Sequence, residues 1–127
     1  MQIVITEWAL NSYLQLKYDK AFTSREYWEK IRPDVLLLKQ YPDHQKFDQD
    51  KFWSQEISNG YKMKWHNIGH GKVQIRLPVS ILSGNLAYLC EAYVKESPKY
   101  EQRRLARFKT HLQLIQKGRF TERGRLS

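Results

Sequence analysis

Residues 61–77 read YKMKWHNIGHGKVQIRL, and the alternation in that stretch decides the fold. Met63 and Trp65 interleave with Lys62, Lys64 and His66; beyond Gly69-His70-Gly71, Ile75 and Leu77 interleave with Gln74 and Arg76. A period of two on both sides of a glycine-rich turn is the pattern of an antiparallel β-hairpin. The spacing predicts strands over Glu56–Ile68 and Lys72–Leu82, and a third over Leu86–Lys95 beyond a turn at Ser83-Gly84-Asn85. Centring the first hairpin on His70 puts Lys64 opposite Arg76 and His66 opposite Gln74. Centring the second on Gly84-Asn85 puts Arg76 opposite Tyr93 and Gln74 opposite Lys95. One face then collects Lys62, Lys64, His66, Arg76, Tyr93 and Lys95, with Glu91 as its only acidic residue. The other face, with Met63, Trp65, Ile75, Leu77, Val79, Ile81, Tyr88, Cys90, Ala92 and Val94, reads as a core wall. Pro78 interrupts the middle strand, because it has no N–H for the ladder, and a bulge there would shift the register beyond it.

Outward from the sheet the pattern becomes helical. Gln2 to Thr6 is a β-branched run and reads as a strand. Thr6 is placed to cap a helix over Glu7 to about Tyr18, with Trp8, Ala9, Tyr13 and Leu16 on one face. Thr23 and Glu26 have the spacing of a capping box. Tyr27, Ile31, Val35 and Leu38 mark the buried side of the helix it opens, which Pro33 should kink or divide. Residues 42–55 are polar and aperiodic and read as a loop. Behind Ser97-Pro98, Leu105, Phe108, Leu112 and Ile115 form the stripe of a last helix that Gly118 ends. Residues 119–127 read as a loose basic tail. The expectation is one α+β domain over 1–118, in the order β-α-α-β-β-β-α, with helices on one face of an antiparallel meander and the other face partly wet.

The 127 residues carry a net charge of +9. It is uneven: residues 1–50 hold seven Lys/Arg against eight Asp/Glu, and residues 99–127 hold nine against two. A neutral front and a basic back point to a polyanionic partner. No apolar run approaches the length of a membrane span, and Met1 to Ile5, with neither a charged leader nor a cleavage site, gives no expectation of a secretion signal. The single cysteine, Cys90, precludes an internal disulfide and fits a reducing cytoplasm. Its place on the apolar face reads as packing. His66 and His70 lack neighbouring carboxylates, so no metal site and no cofactor are expected. His111 reads as a surface residue. The four tryptophans read mostly as core, with Trp53 a possible stacking platform for a base.

The basic face suits RNA cleavage. Lys64 directly opposite Arg76 is repulsive unless an anion lies between them. Transesterification needs a base for the 2′-hydroxyl, cations for the phosphate and an acid for the leaving oxygen. A lysine among cations has a lowered pKa and can act as base, and arginine grips two phosphate oxygens. His66 is a candidate acid or base.

At this face the chain resembles the RelE/HigB branch of the RelE/ParE toxins. Tyr61-Lys62-Met63-Lys64-Trp65 is similar to the Tyr-Lys-apolar-Lys strand of RelE, and Ile75-Arg76-Leu77 to the arginine-bearing strand after it. Tyr88-Leu89-Cys90-Glu91-Ala92-Tyr93-Val94-Lys95-Glu96-Ser97-Pro98 resembles the last strand of HigB-like toxins. Glu101-Gln102-Arg103-Arg104-Leu105-Ala106-Arg107 resembles the helix that follows it. The likeness covers roughly residues 56–112. It implies a toxin of a type II toxin-antitoxin system: a metal-independent, ribosome-dependent mRNA endonuclease silenced by a cognate antitoxin protein. It implies Lys62 and Lys64 as catalytic lysines, Arg76 as the phosphate-binding arginine, and Lys95 and Tyr100 as further functional positions. Tyr93, Arg103, Arg104 and Arg107 are expected to contact RNA. The longer loop between Lys64 and Arg76, and residues 42–55, depart from the family pattern. Two other readings are a ParE-like inhibitor of DNA gyrase and a non-catalytic RNA-binding domain.

Overall fold

A computed structural model describes residues 1–82 and 85–126; the expected turn at Ser83-Gly84-Asn85 falls largely outside the described residues. Strand β1 (Gln2–Thr6) runs into helix α1 (Glu7–Tyr18). Thr6 joins the two: its hydroxyl accepts from the Ala9 N–H at 3.2 Å as the N-cap and donates to the Leu89 carbonyl at 2.6 Å. The capping box at Thr23 and Glu26 opens α2 (Ser24–Glu26), and Glu26 also accepts from the Gly69 N–H at 3.0 Å.

The helical path then changes pitch ahead of Pro33. A π turn over Tyr27–Ile31 leads into α3 (Arg32–Leu36) and a 3₁₀ turn over Leu37–Gln40. A proline inside a helix removes one donor and crowds the preceding turn, and the widened turn accommodates it. Ile31, Val35 and Leu38 are buried as the spacing predicts.

The sheet is mixed and seven-stranded, in the order β2-β3-β4-β5-β1-β7, with β6 paired to β4. Its members are β2 (Trp53–Ile57), β3 (Gly60–Ile68), β4 (Val73–Ile81), β5 (Leu86–Leu89), β6 (Tyr93–Val94) and β7 (Glu122–Leu126). The β3–β4 hairpin has the expected register through Met63↔Leu77, Lys64↔Arg76 and Trp65↔Ile75, but it shifts before Ile68↔Val73, so His66 is not paired with Gln74. Gly69 enters the turn at φ +61, and a Cβ there would meet the Ala21 carbonyl oxygen at 2.7 Å. Only glycine satisfies both the left-handed backbone and the close approach.

Several expectations are corrected. The strand expected over Glu56–Ile68 is two strands, β2 and β3, turning at Ser58-Asn59, with Asn59 at φ 62. Asn-Gly is a strong hairpin signal, and Asn59-Gly60 marks the place. Residues 42–55 are not simply a loop: they include a 3₁₀ turn over Gln45–Asp48 that buries Phe47, and the start of β2. Trp53 is 6% exposed and stacked on Tyr61 at 5.0 Å, so it is core and offers no platform to a base. Among the other tryptophans, Trp28 is 60% exposed. The strand expected over Leu86–Lys95 is broken. Val79↔Leu89 and Arg76↔Tyr93 are both paired, so Leu77 and Pro78 face three residues, Cys90, Glu91 and Ala92. The bulge sits at Pro78, which has no N–H to give. Beyond it Tyr88 pairs with Ser80, and Tyr88 and Cys90 pack on the opposite face from the wall expected for them.

A further correction concerns residues 119–127. They do not hang loose: β7 pairs antiparallel with β1, and β5 pairs with β1 in parallel. The sheet is therefore not a plain meander. β7 covers the edge of β1, whose Ile3 and Val4 are fully buried. Deleting residues 119–127 is expected to lower the melting temperature and to promote self-association through the uncovered edge. Thermal denaturation and sedimentation velocity check this; a truncated chain that stays monomeric with an unchanged melting temperature would refute it.

Both faces are packed. The larger core lies between the sheet and the N-terminal helices, around Ile31, Val35, Leu38, Met63, Trp65 and Ile75. A smaller core lies under helix α4 (Pro98–Gln116), around Cys90, Phe108 and Ile115, with Trp8 and Tyr88 packed against it. Ser97 caps α4 by accepting from the Tyr100 N–H at 3.2 Å. Helix α4 thus covers part of the face expected to be partly wet. Gly60 lets it come close, since a Cβ there would lie 2.9 Å from the Phe108 ring. His111, expected at the surface, is 8% exposed and stacks on Trp8 with centroids 4.0 Å apart. Burial holds its pKa below the ordinary histidine value.

Candidate nucleic-acid site

The basic cluster lies on the same face, beside the start of α4. β3 supplies Lys62 and Lys64, β4 supplies Arg76, β6 supplies Tyr93, and the first turns of α4 supply Tyr100, Glu101 and Arg104. Lys64 and Arg76 are direct cross-strand partners, and Arg76 pairs with Tyr93 on its other side. Three of the expected residues are thereby consecutive across the sheet.

Arg76 is the unusual member. It is 4% exposed, yet its hydrogen bonds go to Gln74 Oε1 at 2.7 Å and to the Ile75 carbonyl at 3.4 Å. Among the described residues no carboxylate lies within ion-pair distance of it. Burial pulls its pKa down, while Glu101, Tyr93 and Glu56 nearby pull it up. A desolvated guanidinium whose donors are not matched by a carboxylate is an anion site in waiting.

The lysines differ from each other. Lys62 is paired with Glu56 at 2.8 Å, both largely shielded from water. Lys64 instead donates to the Asp50 carbonyl at 2.7 Å. Burial, then the Lys62 charge, hold the Lys64 pKa below the ordinary lysine value. The Tyr93 hydroxyl donates to Glu101 in a short hydrogen bond. Burial and the Glu101 charge push its pKa well up, so it stays a donor. Arg104 lies over the Tyr93 ring at 4.7 Å and the Tyr100 ring at 5.7 Å, and pairs with Glu91 at 2.8 Å.

The remaining expected residues lie apart. His66 is exposed, and its Nε2 is 2.8 Å from the Lys51 carbonyl; it ties down the segment that Lys64 also holds. The Lys95 N–H continues the ladder to the Gln74 carbonyl at 2.9 Å, but its side chain is exposed. Arg107 is paired with Glu91 at 2.8 Å, and Arg103 is exposed on the outer face of α4. Glu91 is thus consumed by two arginines.

Two acidic residues escaped the reading of the sequence. Glu56 and Glu101, with Lys62 and Tyr93, line a cleft of about 150 Å³ between the sheet and α4. Glu56 was hidden by merging β2 with β3; the Asn59-Gly60 signal folds β2 back and brings it beside Lys62. Glu101 lies one turn into α4, and no local pattern says that this turn docks on Tyr93.

Among the described residues no three His, Cys, Asp or Glu side chains gather to form a metal site. No helix in them is long and apolar enough to cross a membrane. In comparisons with known proteins, no family model, no curated protein and no solved structure matches this chain.

Proposed function

We propose that this protein is a toxin of the RelE/HigB kind, an endonuclease that cuts mRNA on the ribosome by attack of the 2′-hydroxyl on the scissile phosphate. The observation that carries the reading is Arg76: buried, without a carboxylate partner among the described residues, and directly across from Lys64. The motif resemblance at residues 61–65, 75–77 and 88–98 supports it from the side of sequence. An RNA phosphate between Lys64 and Arg76 relieves their repulsion and satisfies the guanidinium donors.

The residues divide the work as follows. Lys64, with its lowered pKa, takes the proton from the 2′-hydroxyl. The 2′-oxygen bonds to phosphorus while the bond to the 5′-oxygen breaks. Arg76 holds the charge that builds on the non-bridging oxygens. The Lys62 ammonium, held in place by Glu56, gives its proton to the departing 5′-oxygen. Tyr93, its one hydroxyl proton given to Glu101, is too weak an acid to serve in that role. The partners in this reading are a translating ribosome and a cognate antitoxin protein that denies RNA access to the basic face.

The test is to induce the protein in cells and map RNA 5′ ends on a message and on the same message with its start codon removed. New ends are expected in the translated form alone. Ends in both would refute dependence on the ribosome, and ends in neither would refute the nuclease. A further expectation concerns pH. Since the neutral amine is the base, single-turnover cleavage should rise with pH towards the lowered Lys64 pKa, and Lys64→Ala should abolish that rise. A wild-type rate that is flat or falls over the same range would remove Lys64 from the role.

A further inference from the structure

A cavity of about 230 Å³ opens on the other face of the sheet from the basic cluster, between α1 and α3. Ile75 and Leu77 of β4 floor it, and Arg76 between them points the opposite way. Leu10 and Leu16 of α1 wall it on one side, Ile31 and Val35 on the other. Of the residues that line it, only Tyr13, Tyr27, Arg32 and Trp65 carry polar side-chain atoms. Trp65 Nε1 already donates to Asp34 at 3.0 Å. Protein interiors hold few voids larger than a water molecule, and an apolar cavity of about 150 Å³ stays dry and takes up benzene. A larger cavity with so few polar atoms favours an apolar guest over water.

One charge marks its entrance. Arg32 is half-buried, with its guanidinium 5.3 Å from the centre of the exposed Trp28 ring. The acidic residues nearest it in sequence are engaged elsewhere, Glu29 with Arg25 at 3.0 Å and Asp34 with Lys46 at 2.8 Å, and among the described residues no carboxylate lies within ion-pair distance of Arg32. Beside it stands the Tyr27 hydroxyl, whose pKa is raised by burial, so it remains a donor. A guanidinium fork and a hydroxyl at the mouth of an apolar cavity suit one carboxylate with a hydrocarbon body.

We infer that this cavity binds a small apolar monocarboxylate, its hydrocarbon part held between α1 and α3 and its carboxylate on Arg32. If about 150 Å³ holds the six carbons of benzene, the cavity here holds about nine, the size of a medium-chain acid such as octanoate. An ammonium of the same length is repelled by Arg32. An alcohol forgoes the charge-assisted bond, and a short acid leaves most of the cavity unfilled. The site does not depend on the nuclease reading, because it lies across the sheet from Lys64 and Arg76. A guest there touches α1, α3 and the sheet at once, so binding stabilises the folded chain.

The test is to add octanoate, octanol, octylammonium or butyrate to the whole protein and follow the methyl groups of Leu16 and Val35 by NMR. Octanoate is expected to bind about tenfold or more tightly than each of the others, as one hydrogen-bonded charge pair provides. Its chain should give intermolecular NOEs to those methyls, and the melting temperature should rise with its concentration. Arg32→Gln should bring octanoate to within about twofold of octanol. Arg32 makes no ion pair, so that variant should fold, and its melting temperature without ligand checks this. Ala92→Leu, which takes up room at the cavity wall, should weaken octanoate and octanol alike. Octanoate that binds no better than octanol, that ignores Arg32→Gln, or that contacts other methyls would overturn the inference. So would binding by none of the four, which would leave the cavity to an apolar side chain of a partner protein.

Discussion

Arg76→Ala is expected to slow cleavage by a factor of about 10² or more while leaving the fold intact. The two halves of that expectation have one cause. Arg76 is buried, and its hydrogen bonds among the described residues are to a neutral amide and a carbonyl. Its burial costs desolvation that no ion pair offsets, so removing the charge relieves strain as well as packing. The transition state, by contrast, places new negative charge where the guanidinium points. Arg76→Lys should recover only part of the rate, because a point charge replaces a fork. The measurement is single-turnover cleavage on translating ribosomes, paired with thermal denaturation. A variant that folds and still cuts within a few-fold of the wild type would show that Arg76 is not the phosphate ligand. A variant that fails to fold would show instead that the arginine is structural.

The second large effect is on stability. Phe108→Ala should cost about 3–5 kcal/mol, the usual range for deleting a fully buried aromatic side chain. Phe108 is 3% exposed and sits over Gly60, at the centre of the small core that fastens α4 to the sheet. That core is thin, built on Cys90, Phe108 and Ile115, so little remains to hold the helix once the ring is gone. Losing α4 also removes Glu101 and Arg104 from Tyr93. Equilibrium unfolding in urea should therefore show a lowered midpoint, and cleavage should fall with it. Phe108→Leu, which keeps most of the volume, should restore much of both. A loss below about 1 kcal/mol for the alanine variant would mean that α4 is held by its polar contacts.

Much of the local structure was legible. The caps at Thr6 and Thr23 announce their helices because a side-chain oxygen three residues from an unpaired N–H is a short-range matter. The β3–β4 register follows from alternation around a fixed turn, so Lys64 and Arg76 could be set opposite each other before any coordinates. The π turn has a local cause in Pro33. Asn59-Gly60 was equally plain, and it was missed only because the alternation on either side of it looked continuous.

The sequence by itself determined the α+β class, the ends of most helices, the hairpin that carries Lys62, Lys64 and Arg76, and the excess of positive charge. Each depends on residues a few positions apart, where propensity and period act directly. The tertiary structure alone decided the rest. It inserted β1 in parallel beside β5 and brought β7 to its edge, pairings between chain ends with no local signature. It placed a bulge opposite Pro78, and because side chains alternate with a period of two, that single extra residue turned Tyr88 and Cys90 to the other face. It set Glu56 beside Lys62 and Glu101 beside Tyr93, so a face that reads as cationic but for Glu91 is a cleft with further carboxylates at its rim. It also put α1 next to the start of α4, so that residues some 80 positions apart in the chain line one cavity. Contacts of that separation are chosen by the packing of the whole core, which no stretch of sequence encodes alone.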